Sequence, residues 1–186
     1  GNEGKLLKVA GGTVSVLAET KALVVTSLAQ AFGGAVVAGT LPDGKVLKWE
    51  KGKLTDLATL KGAEHVWSVA YDAKAKVVYA ATGPEGKLFR ITQTGDAQVY
   101  FDAPEQHLMS VAVAPDGTVY AGASDKAKLY KVTAPGRASV LFDFGRTEVR
   151  AIEVNASGEV FAIANDIKSS SSAPSPRAGS ASSSQR

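Results

Sequence analysis

The chain has 186 residues, of which 45% are hydrophobic and 21% charged, and a chain of this length can bury one sizeable core. It contains no cysteine, which excludes disulfides, thiolate metal sites and cysteine nucleophiles. No run of the sequence reaches the ~18 uninterrupted apolar residues that a membrane helix needs, so membrane insertion is not predicted.

The formal net charge of +3 comes from the C-terminal segment 167–186, which holds Lys168, Arg177 and Arg186 and no acidic residue. Residues 1–166 then carry 18 basic and 18 acidic residues, so they lack the excess of positive charge that a nucleic-acid partner requires. Nine of the twenty residues in 167–186 are serine. This composition predicts a disordered Ser/Ala/Pro-rich linker or loop insertion.

Short apolar segments recur along the rest of the chain. Two of them, KLLKV (5–9) and VSVLAE (14–19), come first. Three rounds of four segments follow, and two more segments, VRAIE (149–153) and VFAIA (160–164), end the series. Equivalent segments lie 40 to 42 residues apart, as in KLLKV (5–9), KVLKW (45–49), KLFRI (87–91) and KLYKV (128–132). The chain is therefore a repeat of one structural unit.

The composition of these segments predicts strands. Each has four to six residues, is rich in Val, Leu, Ile, Tyr and Phe, and is bounded by turn residues such as APDG (114–117) and NASG (155–158). The stretch 19–34 also fits an amphipathic helix that ends at glycine. Its position in the repeat, 41 residues before VWSVA (66–70), favours a strand.

Four antiparallel strands in each ~41-residue unit match the blade of a β-propeller, so the predicted fold class is all-β. Residues 1–166 form the propeller segment. Its predicted parts are a half blade, three whole blades and a second half blade, at 4–19, 20–60, 61–102, 103–143 and 144–166. In each inner strand, small residues alternate with large apolar ones and permit close approach of the next blade. The small residues are Ser27, Ser68, Ser110 and Ala151.

Two stretches carry a family resemblance. VYAAT (78–82) followed by GPEGKLFRI (83–91), together with APDGTVYAG (114–122), resembles bacterial β-propeller repeat proteins of the WD-repeat-like, NHL and YVTN superfamily. The resemblance extends over residues 4–166, although the Gly-His and Trp-Asp dipeptides of true WD repeats are missing. It implies a propeller architecture and leaves the activity open, since propellers include enzymes, sensors and scaffolds.

The two half blades allow two arrangements. They either pair with each other and close a four-bladed ring, or belong to about half of a ring with six to eight blades. The start in mid-blade without Met favours the larger ring, which makes the missing blades of the same chain a possible partner.

Candidate binding residues lie in loops that share one end of every blade. Loops that enter the inner strands carry Val24, His65, His107 and Glu148 at equivalent positions. Loops between the second and third strands carry Asp43, Glu85, Asp125 and Asp166. On the inner strands themselves, Arg150 and Met109 face either the channel or a neighbouring blade. Trp49 and Trp67, which also lie at strand positions, are predicted to pack in the core.

These residues support three hypotheses about function. The favoured one is a non-catalytic binding or scaffold module that recognises a protein or small ligand through the loop face, with no cofactor. The first alternative is a metal-dependent hydrolase, lactonase or lyase that uses His65, His107 and Glu148 in the central channel. The second is a sensor domain of a larger signalling protein. The compartment stays open, with a periplasmic or extracellular location favoured over the cytoplasm.

Overall fold

A computed structural model of the chain describes residues 4–166, and segment 167–186 lies outside the described residues. The described part contains sixteen strands and no helix that could span a membrane. Two strands, β1 (Lys5–Ala10) and β2 (Thr13–Glu19), form an N-terminal hairpin, and β15 (Glu148–Val154) and β16 (Val160–Asn165) form a C-terminal hairpin.

Between the hairpins lie three four-stranded antiparallel sheets, here called the first, second and third blades. The first blade consists of β3 (Val24–Ala31), β4 (Ala35–Leu41), β5 (Lys45–Glu50) and β6 (Lys53–Thr59). The second consists of β7 (Ala63–Asp72), β8 (Val77–Pro84), β9 (Lys87–Thr92) and β10 (Ala97–Asp102). The third consists of β11 (Leu108–Val113), β12 (Val119–Ala123), β13 (Lys128–Ala134) and β14 (Arg137–Asp143).

The sheets fan out from their first strands. Each first strand contacts the next one along the chain, in the order β3, β7, β11 and β15, and strands within a sheet pair in sequence order. The strand prediction for 19–34 is confirmed by β3, which ends at a glycine turn. The all-β architecture of four-stranded antiparallel sheets is therefore the one predicted from the repeat.

Hydrogen bonds tie neighbouring inner strands together. Three serines at equivalent positions provide them: Val69 N–H donates to Ser27 Oγ at 3.1 Å, Val111 N–H donates to Ser68 Oγ at 3.3 Å, and Ser110 Oγ donates to the Val149 carbonyl at 2.9 Å. Because each bond joins a side chain of one sheet to the backbone of the next, it fixes both the spacing and the register between sheets.

Small residues on the second strands make this spacing possible. A Cβ placed on Gly39 would lie 2.8 Å from a methyl group of Val66, and one placed on Gly122 would lie 2.7 Å from Val149. The equivalent residue in the second blade is the fully buried Ala81. Close approach of inner strands therefore restricts this position to Gly or Ala.

Two apolar cores lie between consecutive blades. One joins the first and second blades and includes Val37, Val66 and Phe89, and the other joins the second and third and includes Leu88 and Leu108. Strands of the second blade contribute alternate residues to the two cores, which is why both of its faces are apolar.

The outermost strand of the third blade and the two terminal hairpins are not covered by a neighbouring sheet. Val140, Leu141 and Phe142 on β14 are exposed, because the next sheet has no outer strands to lie against them. The two hairpins form separate sheets and do not pair with each other within residues 4–166. They expose apolar side chains as well, among them Phe161 at 56% and Ile163 at 59%.

Replacing Gly122 with valine should destabilise the fold. Valine is favoured in strands, yet its Cβ would meet Val149 and force the third blade away from β15. We expect a loss of about 1–3 kcal/mol in the free energy of unfolding, measured by denaturant titration. Ser139→Val, on the exposed strand β14, is the control and should change stability little. Equal losses in the two variants would contradict the close-approach argument.

The exposed hairpins should make the 186-residue chain associate. Apolar strands with unpaired edges favour contact between copies, so light scattering after size exclusion should report a mass above 19.2 kDa. The double variant Phe161→Lys, Ile163→Lys should shift the population toward monomer. A concentration-independent monomer of the original chain would instead indicate that its two hairpins pair to close a ring.

Candidate functional site

Two sets of loops meet at one end of the blades, here called the loop face. The β4–β5 loop contacts the segment that enters β7, because Gly44 N–H donates to the Glu64 carbonyl at 2.8 Å. The β8–β9 loop likewise contacts the segment that enters β11, through Ala103 N–H and the Gly86 carbonyl at 2.9 Å. The loops chosen from the sequence therefore do share one end.

His65, Trp67 and His107 form a ring cluster at this end, here called the imidazole–indole cluster. The two imidazole centroids lie 6.0 Å apart, and the Trp67 ring lies 4.9 Å from His65 and 5.7 Å from His107. Trp67 Nε1–H donates to His107 Nδ1 at 3.2 Å. All three side chains are half-buried, so the cluster is ordered by packing and still reaches the surface.

The bond from Trp67 determines the tautomer of His107. An indole N–H can only donate, so His107 Nδ1 accepts and carries no proton. The proton of the neutral imidazole is therefore on Nε2. In this arrangement His107 offers a hydrogen-bond donor at Nε2.

Gly83 makes room for the His107 ring. This glycine pairs with His65 in the β7–β8 ladder, and a Cβ placed on it would lie 2.7 Å from Cε1 of His107. The equivalent residues of the other sheets are Leu41, Ser124 and Asn165. Among the sheets of residues 4–166, the second blade alone has glycine at this position, and its missing side chain leaves the space that the His107 ring fills.

The loop before His107 is anchored by a buried carboxylate. Glu105 Oε2 accepts from the Tyr130 hydroxyl at 2.8 Å, and Oε1 forms an ion pair with Lys128 Nζ at 2.9 Å. Burial, followed by this bond to Glu105, raises the pKa of Tyr130, so its hydroxyl stays a donor. The ion pair and the hydrogen bond hold the segment that presents His107.

Two further hydrogen bonds fix the same segment. Gln106 N–H donates to Asp125 Oδ2 at 3.2 Å, and Ser124 N–H donates to the His107 carbonyl at 2.9 Å. The ring of His107 therefore projects from a backbone held on both sides, which suits a preorganised binding group.

Burial lowers the pKa of His107. The neighbouring His65 lowers it further, and Asp125 acts in the opposite direction. Desolvation and a second imidazole both disfavour the charged form, so His107 is neutral at pH 7.

Glu148 does not join the two histidines. It is buried, lies opposite Ser124 in an isolated bridge, and its Oε1 accepts from Asn165 Nδ2 at 3.3 Å. Within residues 4–166, no group of three His, Asp or Glu side chains is arranged to hold a metal ion.

The remaining predicted site residues are spread around the loop face. Asp43, Glu85, Asp125 and Asp166 are exposed, as is Arg150 on β15. Glu85 pairs with Lys87, and Asp166 accepts from Arg146 at 3.4 Å. The structure therefore places these carboxylates as a polar rim and does not gather them at one point. Met109, equivalent to Trp67 and Arg150, is buried.

The assignment of Trp67 to the core is wrong. Its ring belongs to neither inter-blade core and instead contacts both histidines. The sequence did contain a signal for this contact. Trp67 comes two residues after His65, and residues at this spacing in a strand point to the same side of the sheet.

Removing His65 should raise the pKa of His107, because one of the two groups that lower it is lost. We expect His65→Gln to move the His107 titration upward and Asp125→Asn to move it downward, as followed by NMR of the imidazole protons. In the unchanged chain the folded pKa lies below the unfolded value of about 6.5, so His107 should reduce stability as pH falls below that value. Shifts in the same direction for both variants would contradict this account.

No protein-family model matches the sequence, and no curated protein sequence matches it. Solved structures do match. A chain of the nidogen–laminin complex superposes with a TM-score of 0.72 at 13% identity, covering 88% of this chain and 68% of that one. Virginiamycin B lyase from Staphylococcus aureus gives 0.70 at 11% identity, covering 90% and 64%. A proposed gluconolactonase gives 0.62 at 13% identity, covering 82% and 61%.

The chain thus spans about two thirds of the length of these neighbours, all of which are β-propeller proteins. Identities this low show the fold and nothing finer. Together with the radially arranged four-stranded sheets, they identify residues 4–166 as part of a β-propeller.

Proposed function

We propose that this propeller segment is a non-catalytic binding module that recognises a protein partner through its loop face, with the imidazole–indole cluster at the centre of the contact. The observation that carries the proposal is the hydrogen bond from Trp67 Nε1 to His107 Nδ1. This bond orients the His107 ring so that its Nε2–H can donate to a bound partner, and the half-buried rings of His65 and Trp67 lie beside it.

The surroundings of the cluster support a protein partner. Aromatic groups at the centre of a patch, with charged residues at its margin, are typical of protein interfaces. Asp43, Glu85 and Asp125 supply that margin. One structural neighbour is part of a nidogen–laminin complex, which is a complex between proteins.

The cluster also indicates which partner group it suits. His107 Nε2–H needs an acceptor such as a carboxylate or carbonyl oxygen, and the rings of His65 and Trp67 suit a flat apolar group beside it. An aromatic residue next to a carboxylate or carbonyl provides both. N-acetyl-L-phenylalanine is the smallest probe with these two groups.

Titration with N-acetyl-L-phenylalanine should shift the Trp67 indole and His107 imidazole NMR signals saturably. The Trp49 indole, on β5, should not move. His107→Phe removes the donor and should weaken binding about tenfold or more. Gly83→Ser, which introduces the residue found at the same position in the third blade, should also weaken it by displacing the His107 ring. Trp49→Phe is the matched control.

The competing hypothesis is a propeller lyase or lactonase with a metal ion, since the structural neighbours include a lyase and a proposed gluconolactonase. Metal analysis of the purified protein distinguishes the two. A stoichiometric divalent ion that disappears in the His65→Ala, His107→Ala double variant would overturn the binding proposal. So would the absence of any saturable shift with the aromatic acid.

A further inference from the structure

A cleft lies between the second and third blades at the end opposite the loop face. It has a volume of about 520 Å³, within the usual range of ligand sites. The β7–β8, β11–β12 and β13–β14 turns border it, and strands β8, β9 and β10 supply the remaining side chains. None of its residues belongs to the imidazole–indole cluster, so it is a separate site.

Arg90 on β9 is a cation in this cleft, and its charge acts on the neighbouring Tyr79 hydroxyl. It is half-buried, and among residues 4–166 its guanidinium makes no hydrogen bond or ion pair. The equivalent residue of the first blade, Lys48, does form an ion pair, with Glu50 at 3.5 Å. A partly desolvated guanidinium with five unused donors favours an anionic acceptor.

The two carboxylates in the cleft are occupied by their own turns. Asp72 Oδ1 accepts the N–H groups of Lys74 and Ala75 at 2.9 Å each. Asp116 accepts the N–H of Thr118 at 2.8 Å and its hydroxyl at 3.1 Å. Because neither carboxylate pairs with Arg90, its guanidinium remains open to solvent and to an anionic ligand.

The charges that line the cleft limit the charge of that ligand. Lys74 and Arg90 contribute two positive charges, and Asp72 and Asp116 contribute two negative ones. A single negative charge can sit against Arg90, whereas a dianion would be repelled by the two carboxylates. This balance favours a monoanion over phosphate or sulfate.

Two tyrosines add neutral polar groups. The rings of Tyr79 and Tyr100 lie 5.0 Å apart, edge to face. Burial, followed by the hydrogen bond to Tyr100, raises the pKa of Tyr79, so the hydroxyl keeps its proton. The equivalent residues are Val37 and Ala58 in the first blade and Tyr120 and Leu141 in the third, so among the three blades the second alone has a tyrosine at both positions.

We propose that this cleft binds a small hydroxylated organic monocarboxylate. Its carboxylate pairs with the guanidinium of Arg90 in the two-point geometry that guanidinium and carboxylate share. Its hydroxyl groups meet the polar side chains that line the rest of the cleft, which include Gln98 and Lys74. Carboxylate charge therefore provides affinity, and hydroxyl groups provide selectivity over plain fatty acids.

The test is calorimetric titration of the full chain with three probes: D-glucuronate, D-glucose and inorganic phosphate. Glucuronate should bind saturably and at least about tenfold more tightly than glucose, which has the hydroxyl groups without the carboxylate. Phosphate should bind more weakly than glucuronate. Equal affinity for glucose and glucuronate, tighter binding of phosphate, or no binding of glucuronate would each overturn the proposal.

Variants locate the binding. Arg90→Met should weaken glucuronate binding about tenfold or more, and Arg90→Lys, which keeps the charge without the two-point geometry, should weaken it less. Lys48→Met removes a cation from the same position of the first blade, outside the cleft, and should leave the affinity unchanged. Thermal melting confirms that each variant is folded. Unchanged affinity in a folded Arg90→Met, or an equal loss in Lys48→Met, would overturn the assignment.

Discussion

The close approach of neighbouring inner strands is the constraint on which the rest of this structure depends. Serine hydroxyls at one position of the repeat reach across to the backbone of the next sheet, as Ser68 does to Val111 N–H. The opposing second strand allows this only because Gly39, Ala81 and Gly122 carry little or no side chain. The serine hydrogen bond and the small residue thus set the distance between neighbouring sheets. At this distance, apolar side chains pack on both sides of the second blade.

This spacing explains why the loop face can hold a site. The inner strands approach one another closely, so residues that enter consecutive inner strands come within ring-contact distance, as His65 and His107 do. The equivalent residues Val24 and Glu148 show that the repeat requires no particular chemistry here. In a repeat protein the shared residues maintain packing, and the positions where one unit differs from the others can acquire a specific role. Trp67, Gly83 and Arg90 are such positions.

The strands, their order and the location of the loop face could be predicted from the repeat. Few protein architectures combine a period of 41 to 42 residues with segments of strand composition. The site was only partly predictable. Counting equivalent positions singled out His65 and His107, but the tautomer of His107 depends on Trp67, and the space for its ring depends on Gly83 in a different blade. The repeat spacing does not predict which side chains of neighbouring blades contact each other.

Strand β7 connects the two ends of the second blade, and the two candidate sites at these ends share no residue. Strand β7 begins near His65 at the loop face and ends at Asp72 in the opposite cleft. Between these ends, Val66 and Val69 are buried in the inter-blade core, and Ser68 is bonded to the third blade. Packing and hydrogen bonds therefore hold β7 in place between the two proposed sites. The two recognition surfaces proposed above therefore lie at opposite ends of one strand.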